Sequence, residues 1–361
     1  MRIGIVGGGQ LGRMLGLAGI PLGLEFVFLD PGDEPPASAV GDIIPAPFDD
    51  REALELLAKR CDILTYEFEN VDVDSLQAAA ADSAPVFPTP RALATAQDRK
   101  SEKLAFEAAG IPVAPWRAVA SHEELRDAGR TLGLPLVVKT RRFGYDGKGQ
   151  YRIQDPSDVD AAWAALGGVP LLAERFVEFE REVSALGVRG GDGSLAAYPL
   201  TENVHRGGIL HTSRAPLDDV ELQAQADRCL RALTDELDYR GTIAIEFFVV
   251  AGQLYGNEFA PRVHNSGHWT IEGAVCSQFE NHLRAICGVP LGACRPRGHA
   301  GMVNLVGTMP PVASLLELPD VHLHDYHKEA RPGRKLGHVT GVAASPGERD
   351  RIIDRIETLL A

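Results

Sequence analysis

At 361 residues, and at roughly 150 residues per domain, the chain has room for about two to three domains, and a 45% hydrophobic content excludes a collagenous, disordered or disulfide-stapled protein. With 36 Lys and Arg against 50 Asp and Glu the net charge is -14, which disfavours nucleic acid and anionic membranes as partners; an anionic substrate has to be met by a local basic cluster. The five cysteines (Cys61, Cys229, Cys276, Cys287, Cys294) form no C-x-x-C pair and suggest neither zinc nor a disulfide framework. A reducing, cytoplasmic setting is expected, and no stretch reaches the roughly 18 apolar residues of a membrane span.

From the N-terminus, short apolar runs alternate with helical periodicity: a strand over 2–6, a helix from about 11, a strand over 25–30, a helix over 50–60 and a strand over 63–66. That order predicts a doubly wound parallel sheet. The run SAPVFPTPR, with Pro85, Pro88 and Pro90, marks an expected boundary that closes a first domain, 1–95. A helix over 97–109 follows, then hairpin-like strands over 134–140, 150–153, 171–176, 182–188, 195–198, 242–250 and 253–259, with helices near 121–132, 157–166 and 219–238. The pattern is α+β and predicts a second domain over 96–295. The remainder, 296–361, with strands over 301–306 and 338–342 and a helix over 347–360, is too short for a large core of its own and is expected to pack on the rest.

Gly7-Gly8-Gly9-Gln10-Leu11-Gly12 satisfies G-x-G-x-x-G after a strand, with Asp30 closing the next strand. A dinucleotide, another phosphate-bearing ligand and a purely structural tight turn all fit it. Lys139 ends an apolar strand and leads through Arg141 and Arg142 into the glycine-rich GYDGKGQ, 144–150, which reads as a hairpin flap over phosphates or as an ordinary solvated hairpin. A turn centred on Gly252 sets Glu246 opposite Glu258 in a hairpin. Like charges so opposed need neutralising, and Mg2+ shared with nucleotide phosphates suits two carboxylates without His or Cys; a shared-proton dyad and a slipped register are the alternatives.

The loop APRVHNSGHWT, 260–270, concentrates donors suited to a small oxyanion, or is a hydrogen-bonded surface loop. HLHDYHKEARPGRKLGH, 322–338, carries Lys328, Arg331, Arg334 and Lys335, and reads either as a phosphate clamp or as a solvated charge run.

Taken together, GGGQLGRML at 7–15, TYEFENV at 65–71, the flap, NEFAPRVHNSGHWT at 257–270 and HDYHKEARPGRKLGH at 324–338 resemble the ATP-grasp superfamily, and closely its N5-carboxyaminoimidazole ribonucleotide synthetase family. The resemblance implies a pre-ATP-grasp domain, an ATP-grasp domain of two α+β subdomains with the flap subdomain at about 115–175, and a small β-rich C-terminal domain. It implies a homodimeric, ATP-dependent carbon–nitrogen ligase of purine biosynthesis that carboxylates 5-aminoimidazole ribonucleotide with bicarbonate through carboxyphosphate.

By the same resemblance ATP is held by Arg99, Lys139, the flap residues Gly144, Tyr145, Asp146, Gly147, Lys148, Gly149 and Gln150, the hinge Glu174, Arg175, Phe176 and Val177, and Glu182, His205, Asn257 and Glu258. Mg2+ falls to Glu246 and Glu258; the ribonucleotide to Gln10, Leu11, Glu67, Asn265, Lys328, Arg334 and Lys335, with Tyr145 and Asp146 from the flap; and the catalytic part to Arg262, His264, Asn265 and Lys148. The alternatives are a formate-dependent glycinamide ribonucleotide transformylase, an NAD-dependent dehydrogenase resting on the glycine motif alone, and a noncatalytic ATP-binding module.

Overall fold

The computed structural model describes residues 1–81, 83–144 and 148–360. The N-terminal part is a parallel four-stranded sheet in the order Asp42–Pro45, Glu25–Asp30, Arg2–Val6, Ile63–Tyr66. Strand side chains alternate between faces, and here both faces are apolar. Ile3, Ile5, Phe26 and Phe28 meet Leu11, Met14 and Leu15 of the helix Gln10–Gly19. On the other face Val27, Leu29 and Leu64 meet Leu54 and Leu57 of Arg51–Arg60, a helix capped by the Asp50 carboxylate on the Ala53 N–H. The expected doubly wound sheet is present; the edge strand Asp42–Pro45 and the helices Val73–Ala80 and Pro90–Ala96 had no distinct apolar period and were not anticipated.

A small antiparallel sheet follows, ordered Trp116–Val119, Leu171–Arg175, Leu136–Thr140, Gln150–Ile153. The helices His122–Leu132 and Asp158–Ala165 close its core around Val138, Leu171 and Leu125. It carries the flap strands Leu136–Thr140 and Gln150–Ile153.

The largest sheet is antiparallel and nine-stranded. It starts at the edge strand Gln253–Ala260 and runs through Gly241–Val250, Arg181–Arg189, Thr201–Arg206 and Ile209–Ala215 into the C-terminal strands His299–Val306, Lys335–Ala343 and Val321–Asp325, with Leu195–Ala197 paired to Arg181–Arg189. The C-terminal segment therefore extends an existing sheet, and its helix Pro346–Leu360 covers Val303, Val339 and Leu305. Helices Arg99–Ala108 and Val220–Glu236 cover one face of the sheet, burying Phe106, Leu230 and Leu233 against Ile243, Ile245 and Phe247. The helix Gln278–Cys287 lies between this sheet and the N-terminal one: His282 receives the Thr242 N–H at Nδ1 (3.1 Å) and meets the Thr65 hydroxyl through Nε2 (2.9 Å).

Candidate active site

The two acidic strands meet as expected at one point and differ at another. Val250 pairs with Gln253, so Ala251-Gly252 is a two-residue turn, with φ of 48° and 73°, and is not centred on Gly252. From that turn alone Glu246 would face Asn257. A bulge between Glu246 and Phe247 in the pairing restores Glu246 opposite Glu258. Because an extra residue shifts the alternation, Asn257 and Glu258 both reach the side that faces the flap sheet: Asn257 Oδ1 accepts from Lys139 Nζ (3.3 Å), and Glu258 Oε2 from Arg99 Nη1 (2.9 Å).

Crowding by protein works to raise the Glu258 pKa, but Arg99 and Lys139 outweigh it and hold the carboxylate below its usual range. Glu246 is pushed up, first by burial and then by the Glu258 charge, against the opposing fields of His205 and Lys335. The like-charge strain is thus met in part by Arg99 and Lys139, so a metal is not needed merely to let the strands pair, which corrects the electrostatic step of the sequence argument.

Glu174 is the centre of a buried triad: Lys103 Nζ lies 2.6 Å from one oxygen and Lys139 Nζ 2.7 Å from the other. Burial opposes its charge, but the two ammonium groups hold its pKa down at about 2. After it Arg175 is exposed and Phe176 and Val177 are half-buried, and the Arg152 guanidinium sits 3.9 Å over the Phe176 ring. Glu182 Oε2 meets His205 Nδ1 at 2.8 Å. Of the three cations ahead of the flap only Lys139 turns into this cluster; Arg141 pairs with Asp98 (2.6 Å) and Arg142 with Gln97 (2.7 Å), anchoring the flap base to the start of Arg99–Ala108. Gly144, Lys148, Gly149 and Gln150 flank the flap tip, where the Thr140 N–H donates to the Gly149 carbonyl (2.8 Å), while Tyr145, Asp146 and Gly147 lie outside the described residues.

His264 stands beside Glu246, Nε2 to Oε1 3.5 Å. Its Nδ1 accepts the Ser266 N–H (3.3 Å) and lies 2.8 Å from the Ser266 hydroxyl, which accepts from Ser184 Oγ (2.7 Å). Ser184 in turn accepts from Asn203 Nδ2 (2.9 Å). A backbone N–H is an unconditional donor, so this chain of bonds leaves the ring hydrogen on Nε2, directed at Glu246. Burial first, and then Arg262 and Lys335, press the His264 pKa down to about 3, so the ring is neutral. Asn265 is held by a reciprocal amide pair with Asn304, at 3.0 and 2.6 Å. Arg262 Nε lies 2.9 Å from Glu69.

The glycine turn joins the same cluster. Its N–H groups are taken by the protein's own carboxylates, Gly8 by Asp30 (2.8 Å) and Gly9 by Glu67 (2.8 Å), which leaves the dinucleotide reading without its pyrophosphate cradle. Lys328 Nζ donates to Gln10 Oε1, and burial together with Arg334, Lys335 and Arg331 lowers its pKa against the pull of Glu67. Leu11 is buried beneath the turn, and Arg334 and Lys335 lie half-buried on the far side of the Pro332-Gly333 corner.

The sequence reading missed Glu69, Lys103, Ser184, Asn203 and Asn304. Lys103 had a signal, since it lies four residues after Arg99 on one helix face. The others come together only through segments distant in the chain.

Comparison with known proteins agrees along the whole chain. The family "ribonucleotide synthetase preATP-grasp domain" matches residues 1–97, "ATP-grasp domain" 104–279 and "phosphoribosylaminoimidazole carboxylase C-terminal domain" 300–351. N5-carboxyaminoimidazole ribonucleotide synthase of Pseudomonas aeruginosa is 47% identical over 360 residues, covering 100% of this chain and 99% of that protein. The crystal structure of the synthetase from Thermus thermophilus superposes with a TM-score of 0.95 at 47% identity, over 99% of this chain and 98% of the other. The synthase of Aspergillus clavatus, solved with ADP and 5-aminoimidazole ribonucleotide, gives 0.92 at 32% identity, over 100% and 99%. With three domain families in order and relatives matched from end to end, the chain belongs to the N5-carboxyaminoimidazole ribonucleotide synthase family of ATP-grasp proteins.

Proposed function

We infer that this protein is an ATP-dependent carbon–nitrogen ligase that carboxylates 5-aminoimidazole ribonucleotide to the N5-carboxy product in purine biosynthesis. The observation that carries the reading is the full-length likeness to a synthase solved with ADP and that ribonucleotide. A formate-dependent transformylase would share the architecture, but the family relatives favour carboxylation.

At the level of residues, ATP lies between the flap sheet and the large sheet, with Arg99, Lys139, Gly144 to Gln150, Glu174 to Val177, Glu182, His205 and Asn257 around it. The convergence of Arg99, Lys139 and Asn257 on one face supports this. The ribonucleotide is taken by Gln10, Leu11, Glu67, Asn265, Lys328, Arg334 and Lys335, where a glycine turn faces a basic corner. Bicarbonate is the carbon source, and its activated form is carboxyphosphate.

The carboxylates of Glu246 and Glu258, hard oxygen donors on one face, fit Mg2+, and the raised Glu246 pKa is the strain a cation there relieves. Bound with ATP, that ion neutralises phosphate charge. His264, neutral and with hydrogen on Nε2, acts as a donor to a developing oxyanion and not as a base. Arg262, steered by Glu69, and Asn265, steered by Asn304, hold the same anion, and Lys148 adds charge from the flap. A homodimer in the cytoplasm completes the reading; among the described residues no helix is long and apolar enough to cross a membrane.

The test is ADP release from Mg-ATP with 5-aminoimidazole ribonucleotide and bicarbonate, with glycinamide ribonucleotide and formate, and with neither. Stimulation by the first pair alone is expected; stimulation by the second moves the reading to the transformylase.

A further inference from the structure

The strand Gln253–Ala260 is the outer edge of the large sheet, so half of its backbone groups have no neighbouring strand. Buried backbone groups need partners; at the bulge the Gly256 N–H finds the Pro112 carbonyl (2.7 Å), and the other partners come from two adjacent residues of the helix Arg99–Ala108. Lys103 Nζ donates to the carbonyls of Asn257 (2.8 Å) and Gly256 (3.3 Å). Glu102 Oε1 accepts the N–H of Phe259 (2.7 Å). The two contacts fall on either side of Glu258. Both side chains are buried, at 2% exposure, beside the apolar Ala105 and Phe106.

Burying charged side chains against an apolar core is costly even where, as for Lys103 with Glu174, an ion pair forms, and apolar residues of similar volume often serve stability as well or better. We propose that Glu102 and Lys103 are positioning residues: they clasp the β-bulge that turns Asn257 and Glu258 to the same face, and so set the Glu258 carboxylate against Glu246. Lys103 ties the clasp to the nucleotide side as well, since its third contact is Glu174 (2.6 Å), which also holds Lys139. Each acts through the strand it grips. Without the clasp the edge strand relaxes toward the plain register, in which Glu246 faces Asn257 and Glu258 points away.

The inference rests on the reading of Glu246 and Glu258 as metal ligands, and the experiment separates the two. Binding of Mn2+ to the full chain with a nonhydrolysable ATP analogue is measured by electron paramagnetic resonance, beside affinity for the ribonucleotide and the melting temperature. Glu258→Gln tests the metal assignment: unaltered Mn2+ binding there removes it. Given loss in that variant, Lys103→Met and Glu102→Met are expected to weaken Mn2+ binding by about 10- to 100-fold, the range for partners that orient metal ligands, with ribonucleotide affinity unchanged. Glu102→Gln, which keeps the acceptor for Phe259, restores what Glu102→Met loses. Lys103→Arg keeps the charge and the fold, and its wider guanidinium shifts the bulge carbonyls, so the same loss is expected. Folded variants that bind Mn2+ as the native chain does, or a loss spread equally over Mn2+ and the ribonucleotide, overturn the proposal.

Discussion

Glu246 and Glu258 stand directly opposite each other only because a two-residue turn and a one-residue bulge act together: the turn sets the pairing one position off, and the bulge corrects it. Glu258 is held ionised by Arg99, while Glu246 bears the strain of the pair. Glu258→Gln is expected to abolish metal-dependent turnover with little change in melting temperature, because its side chain is 42% exposed and glutamine keeps an acceptor for Arg99. Steady-state ADP release across a Mg2+ titration checks it, and native turnover in the variant removes the metal assignment.

Lys335 acts on both Glu246 and His264 from the basic corner. On the proposed reading Lys335 makes a charge-assisted contact to the ribonucleotide, so Lys335→Ala should raise the KM for that substrate roughly 10- to 100-fold, the equivalent of about 1.5–3 kcal/mol, and move the ATP KM far less. An equal effect on both constants would argue against the phosphate clamp.

Gly9 has an ordinary φ of -72°, so its backbone does not demand glycine; the space does. A Cβ there would lie 2.7 Å from Glu67 Oε1, the atom that accepts the Gly9 N–H. Gly9→Ala therefore displaces Glu67, with an expected rise of roughly tenfold in the ribonucleotide KM for a lost charge-assisted hydrogen bond. Parallel titrations of the two substrates decide it, since a general folding defect lowers active-enzyme concentration and leaves both KM values in place.

His282 is neutral in the fold: burial depresses its pKa to about 4, and Nδ1 is already an acceptor. In the unfolded chain it titrates near 6.5, so below that pH the unfolded state binds the extra proton and stability falls as the pH drops toward 4. Above about pH 6.5 this group contributes no slope, and the full loss amounts to roughly 3 kcal/mol. Urea unfolding at about pH 7.5 and 5.5, on either side of the ordinary histidine value, should show native stability falling with acidity. His282→Asn should flatten that fall while lowering stability at the higher pH. An unchanged acid slope in the variant would refute the assignment.

Much of the architecture was legible because it is written locally. The apolar alternation of Arg2–Val6, Glu25–Asp30 and Ile63–Tyr66 announces a parallel sheet, and Asp50 ahead of Arg51–Arg60 announces a helix start. The strands Thr201–Arg206 and Ile209–Ala215 were invisible for the opposite reason. Their buried positions include Asn203 and Ser213, polar residues in the hydrogen-bonded chain that leads to His264, and Thr212, which accepts from Arg214 Nη1, so no hydrophobic period marks them. The helix Gln278–Cys287 had its signals, the Ser277 cap on Glu280 and the left-handed Gly288 at its end, but they went unused within a strand-rich stretch.

Short-range pattern was enough to single out the candidate residues, and the family resemblance supplied their expected roles: the flap, the two glutamates, the donor-rich loop and the basic corner are each short runs, unusual without any knowledge of their neighbours. How those residues are held depends on the packed chain. That Arg141 serves Asp98 while Lys139 serves Glu174, that Glu69 steers Arg262, and that Glu102 and Lys103 clasp an edge strand are contacts between segments far apart in the chain. Propensity and periodicity act over a turn or a strand, whereas a charge in a low-dielectric interior is assigned its partner by whichever segments packing brings within about 3 Å.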